Sequence, residues 1–121
     1  MNERAAVSNA ADVKQVKHAG RKDQERRQLE IAALREILKL PAGRLVLWNV
    51  LTHCKVFESI WHPSALIHAN AGRQDVGHWL LAEIAEADED VIVLMMREAR
   101  VAKKRDQAER EAVQQTKKDT A

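Results

Sequence analysis

A chain of 121 residues with one cysteine, two prolines and a formal net charge of +2 has room for one domain. Near-neutral charge argues against a general nucleic-acid binder, and the lone Cys54 excludes an internal disulfide and fits a reducing compartment. No apolar run reaches the roughly 18 residues needed to cross a bilayer, and the N-terminus has no apolar leader, so the expectation is a protein made and kept in soluble form.

Alanine, leucine, glutamate, lysine, arginine and glutamine dominate, and glycine and proline are scarce. This composition predicts an all-α protein: a small bundle of about four helices, with a flexible N-terminal arm over residues 1–22, a helical core domain over 23–102 and a polar helical C-terminal arm over 103–121. The packed part is then nearer seventy residues, and a core of that size supplies only about 3–5 kcal/mol unless partners or oligomerisation add to it. Slightly basic ends flank a slightly acidic centre.

Residues 1–22 are polar and alanine-spotted, with Val7, Val13 and Val16 too sparse for a buried face. The reading is a disordered segment or one that becomes helical against a partner. From Asp23 to Leu40, Ile31, Leu34 and Leu38 form an apolar stripe widened by Leu29, Ala33 and Ile37, which predicts an amphipathic helix. Pro41 ends it, because the residue before a proline is pushed out of the helical region. Pro41 then suits the first position of a second helix, where an N–H would have no partner anyway. Leu47, Leu51 and Cys54 line one face of that helix, Trp48 and Val50 broaden it, and it stops between His53 and Lys55.

Residues 56–65 form a connector with Phe57, Ile60, Trp61 and Pro63, rich enough in apolar groups to fold onto the core. A third helix is expected from Asn70 or Gly72 to Ala87, with Val76, Leu80, Ile84 and Ala87 buried and Trp79 beside them. Gly77 costs roughly 1 kcal/mol there relative to alanine, and a close helix crossing would explain it. Asp88 is a good N-cap, with Glu89 and Asp90 favourable at the start of a fourth helix. Val91, Leu94, Met95, Glu98 and Ala102 carry that helix, flanked by Ile92, Met96 and Ala99. Past Val101 the apolar stripe fades, and Asp106–Arg110 and Arg105–Glu109 are spaced for i, i+4 charge pairs out to about Thr116.

His53, Cys54, His62, His68 and His78 invite a metal, but zinc ligands come in close pairs held by one turn, and none of these has that spacing. Cys54 on an apolar helix face reads as a small core residue before it reads as a nucleophile. Glu83, Glu86, Asp88, Glu89 and Asp90 cluster at a helix junction, where capping accounts for the last three. No catalytic residue, cofactor site or metal site is assigned.

Gly43-Arg44 and Gly72-Arg73 each stand where a helix is expected to begin. Such a pair can hold a phosphate or carboxylate, but neither sits in a Gly-rich loop after a strand. The favoured use is internal: each arginine reaching an acid such as Glu83 or Glu86 and fixing two helices together, with Pro41, Trp48, Trp61 and Trp79 completing the packing. Contacts to partners or phosphate would fall to Lys14, Lys17, Arg21, Lys22, Arg26 and Arg27, and to Lys103, Lys104 and Arg105. Acids dilute both groups and no aromatics accompany them for base stacking, so any DNA contact would be to the backbone and sequence-blind.

The segments Pro41–Leu51 and Asn70–Gly77, with Val56-Phe57-Glu58-Ser59 and Met95-Met96-Arg97-Glu98-Ala99, resemble a family of small helical proteins. That family is encoded among the virion genes of short-tailed bacteriophages and named from a Bordetella phage. The similarity spans about Gln28 to Arg100; the family's second motif has an acid before its glycine and a second arginine after it, where this chain has Ala71 and Gln74. The resemblance implies a non-enzymatic virion protein, internal or at the portal and tail neck. It would dock on portal, tail-tube (adaptor) or ejection proteins, with copies following the particle's cyclic symmetry. Location would be the virion, and the host cytoplasm during assembly. The alternative is a small DNA-binding or assembly factor acting in the infected cell.

Overall fold

Three interruptions divide the helical content of the described residues. At the first, Leu40 adopts an extended conformation (φ −92°, ψ 127°) ahead of Pro41, the conformation a following proline enforces. At the second, residues 54–65 leave the helical path, and at the third residues 88–90 do so again. The computed structural model describes the backbone of residues 3–120 and the side chains of residues 11–120. It contains four helices: α1 (Glu3–Leu38), α2 (Pro41–His53), α3 (Leu66–Ala87) and α4 (Val91–Thr120). No strand occurs among the described residues. Helix α1 packs on α2 and α3, and α4 closes the bundle against the same two helices.

The core is small and sits where the four helices converge. Leu38, Leu51, Ile84, Ala87, Val91 and Met95 are buried together, with Ile31, Leu34, Leu47, Trp48, Val56, Leu80, Leu81 and Ile92 packed around them. Each helix contributes at three- and four-residue spacing, which is what keeps side chains on one face of a 3.6-residue helix. Burial of this apolar surface, at roughly 25 cal/mol per Å², is the main force closing the bundle.

The end of α2 is shaped by Lys55, whose φ of 58° places a non-glycine residue in the left-handed region. Its N–H donates to the Thr52 carbonyl at 3.0 Å, and Val56 N–H donates to the Leu51 carbonyl at 3.3 Å, so the last turn is closed by a left-handed cap. Helix α3 then holds the connector down. Gln74 Nε2 donates to the carbonyls of Lys55 at 2.8 Å and Glu58 at 3.1 Å, and the buried Asn70 donates to the carbonyl of Ile60 at 3.2 Å. Three connector carbonyls are tied to α3 this way, and that of Lys55 also accepts from the Glu58 N–H at 3.3 Å.

Several expectations are corrected. The first helix does not begin at Asp23: α1 runs from Glu3 without a break. Residues 11–22 hold few helix breakers, so helical propensity continues into them although the side chains remain exposed. The third helix begins at Leu66, which puts Gly72 and Arg73 in its second turn and not at its start. Trp61 and Trp79 are 71% and 62% exposed, and Val76 is exposed too. Core contact on α3 instead follows Asn70, Gly77, Ile84 and Ala87, a line rotated away from Val76 and Trp79. Leu29, Ala33, Ile37, Val50, Leu94 and Met96 also face outward. Helix α4 extends to Thr120, past the expected Thr116. The expected Asp106–Arg110 and Arg105–Glu109 ion pairs do not form among the described residues.

Two glycines mark close approaches. A Cβ on Gly77 would collide with Val56 Cγ2 and lie 2.6 Å from Cys54 Cβ, so α3 meets the end of α2 at the one place on its inner face with no side chain. Gly72, by contrast, has nothing within 4 Å of where a Cβ would stand. Gly72→Ala should therefore stabilise the protein by about 0.5–1 kcal/mol, the helical cost of glycine, with no steric offset. A thermal melt followed by circular dichroism checks this, and a lowered midpoint would contradict it.

Candidate functional site

Arginine chemistry fixes how the helices meet. Arg44, in the first turn of α2, sends Nε to Glu98 Oε1 of α4 at 2.7 Å and Nη2 to Oε2 at 3.3 Å, a forked pairing with one carboxylate. Its Nη1 also donates to the carbonyl of Leu38 at 2.9 Å, capping the C-terminus of α1. One side chain thus ties three helices, and it is only 13% exposed. The hydrogen bond to Glu98 raises the Arg44 pKa above its ordinary value, holding the guanidinium charged.

The acids expected as partners for Arg44 and Arg73 belong to a different residue. Arg27 of α1 donates to Glu83 and to Glu86 of α3, and those two hydrogen bonds raise its pKa, Glu83 contributing more. A second tie between the same helices runs from Arg35 Nε to the Ala87 carbonyl at 2.9 Å. Arg73 is exposed and makes no ion pair among the described residues. The two Gly-Arg motifs therefore differ: Gly43-Arg44 is built into the bundle, and Gly72-Arg73 faces solvent.

Beside the Arg44–Glu98 pair lies a groove of about 300 Å³ between α2 and α4. Helix α2 supplies Pro41, Ala42, Leu45 and Trp48, and helix α4 supplies Met95, Ala99 and Ala102. The floor is apolar, and three of its residues are alanines, short enough for another backbone to approach closely. Trp48 is half-buried and stacks on Phe57 with ring centroids 5.3 Å apart at 24°, which fixes the indole along one wall. Leu45 and Val46 on the outer side of α2 are 59% and 60% exposed. Val101 continues the apolar surface on α4, between Arg97 and Arg105.

The other residues singled out from sequence lie outside this groove. Lys14, Lys17, Arg21, Lys22 and Arg26 are exposed along α1, and Lys103, Lys104 and Arg105 along α4. Cys54 is buried. His62 Nδ1 lies 2.8 Å from Ser64 Oγ within the connector. Among the described residues no three His, Cys, Asp or Glu side chains are grouped so as to hold a metal ion, and no helix is long and apolar enough to cross a membrane. Asp88 ends α3, and its Oδ1 accepts from the Asp90 N–H at 3.0 Å within the turn ahead of α4.

Sequence reasoning missed Arg27, Arg35, Gln74 and Glu98 as the groups that fix the geometry. On sequence alone Glu98 is one member of the α4 stripe and of the Met95–Ala99 segment, and the one signal for its pairing is an acid placed on an otherwise apolar face. No family model, curated protein or solved structure matches the chain.

Proposed function

We propose that this protein is a non-enzymatic structural component of a short-tailed bacteriophage particle. In this reading it sits inside the virion or at the portal and tail neck and docks on a larger portal, tail-tube or ejection protein. The observation that carries the reading is the α2–α4 groove: an apolar, alanine-floored channel with a fixed ion pair at its side and exposed Leu45, Val46 and Val101 around it. An amphipathic helix laid into such a channel would bury its apolar face and those residues together. The similarity of Pro41–Leu51 and Met95–Ala99 to the phage family bears on the same surface, because these two segments supply most of its lining. Copies repeating one such contact around the portal axis would form a ring.

Purified particles of the phage that encodes the chain test this directly. The protein should be present in fixed stoichiometry, and the doubly substituted Leu45→Asp, Ala99→Asp form should fold yet be missing from particles. Leu45 is exposed and Ala99 only partly buried, so circular dichroism of the purified variant should retain the helical signal. A particle without the wild-type protein, or one that takes up the variant at wild-type level, rejects the reading.

A further inference from the structure

The two charged extensions have similar compositions, but helical geometry separates them. Successive helical residues turn by about 100°, so Lys14, Lys17 and Arg21 fall within a sector of about 60°, widened to about 140° by His18 and Lys22. The centre of this sector lies about 140° around α1 from the core-facing line of Ile31, Leu34 and Leu38. Asp12 and Asp23 stand on the far side, about 150–170° from the centre, and Glu25 closes the sector at its C-terminal end. All these residues are exposed. On α4 the order is different: Lys103, Lys104 and Arg105 are consecutive and point in three directions, with Asp106, Glu109 and Glu111 following.

The α1 cations also repel one another. Lys17 and Arg21 are like charges at i, i+4, as are Lys22 and Arg26, a spacing that destabilises a helix until a counter-charge arrives. Among the described residues the only ion pair formed by this part of α1 ahead of Arg27 is Arg26–Asp23, at 4.0 Å.

We infer that this stripe on α1 is a binding surface for the phosphate backbone of duplex DNA. The stretch from Lys14 to Lys22 extends about 12 Å along the helix axis, a length over which one DNA strand presents three to four phosphates. A protein partner is less well matched, because protein interfaces depend on buried aromatic or aliphatic anchors and this sector holds none. Val13 and Val16 lie outside it, toward the core-facing line. Contact through lysine and arginine alone positions a protein on DNA without reading its sequence. The surface is separate from the α2–α4 groove, and the inference does not depend on the docking role.

Binding of the full chain to a fluorescein-labelled 30-base-pair duplex of mixed sequence, measured by anisotropy between 50 and 200 mM KCl, tests the inference. The slope of log K against log salt should be about −3 to −4, equivalent to four neutralised phosphates at roughly −0.9 each. Lys17→Gln with Arg21→Gln should reduce it to about −2, whereas Lys103→Gln, Lys104→Gln, Arg105→Gln should leave it near the wild-type value. The exchange Lys17→Arg, Arg21→Lys preserves charge and should preserve the slope, which separates loss of charge from loss of helix. An absence of binding at 50 mM, an unchanged slope in the Gln variant, or an equal loss in the α4 variant would overturn the inference. So would salt-sensitive self-association without DNA that the Gln variant abolishes, since the stripe would then be serving an acidic face of a second copy.

Discussion

Ile84→Ala should lower the thermal midpoint by roughly 10–20 °C, a large loss for the removal of one side chain. Ile84 is fully buried in the cluster that also holds Leu38, Leu51, Ala87, Val91 and Met95, and that cluster draws on all four helices at their convergence. Truncating a buried isoleucine costs about 2–5 kcal/mol through lost apolar burial and the cavity left behind. A core of this size supplies roughly 3–5 kcal/mol in total, so the loss is comparable to the whole. Val113→Ala, at an exposed position on the projecting part of α4, provides the control and should shift the midpoint by little. Circular dichroism melts of both variants check the contrast, and equal shifts would mean that Ile84 is not where the bundle is held.

Gly43→Ala should also destabilise, although alanine is the better helix former by about 1 kcal/mol. A Cβ at this position would fall inside the contact distance of the Ile37 carbonyl oxygen and lie 2.8 Å from Ile37 Cγ2. The side-chain methyl can rotate away, but the carbonyl belongs to the backbone of α1. Only Lys39 and Leu40 separate α1 from α2, and Arg44 already binds the Leu38 carbonyl across the junction. Relief of the clash therefore requires α2 to shift and the Arg44 contacts to loosen. Overpacking of this kind costs about 1–3 kcal/mol, which outweighs the propensity gain. The midpoint should fall for Gly43→Ala and rise for Gly72→Ala, two identical chemical changes with opposite signs. If both raised it, the close approach of α1 and α2 would be wrong.

The same contrast shows how far the chain could be read before folding. Gly43-Arg44 and Gly72-Arg73 look equivalent as letters, and nothing local distinguishes them. Arg44 meets Glu98 because α2 and α4 cross there, fifty-four residues apart in sequence. Arg73 points outward because the inner line of α3 runs through Asn70, Gly77 and Ile84. The tryptophans carry a similar lesson. Apolar character makes burial favourable, but a side chain is buried only where another element covers it, and among the described residues no element covers Trp61 or Trp79, which are left largely exposed.

Local signals were enough for the helical class, the break before Pro41, the end of α2 near His53 and the core-facing line of Ile31, Leu34 and Leu38. These follow from backbone sterics and from a repeat of 3.6 residues, both of which act within a few residues of the chain. Tertiary structure alone decided that Arg27 rather than Arg44 binds Glu83 and Glu86, that Gln74 clamps the connector, and that α2 and α4 leave an apolar channel open between them. Those outcomes depend on the angles and offsets at which helices cross, and these are set by how side chains from distant segments fit together.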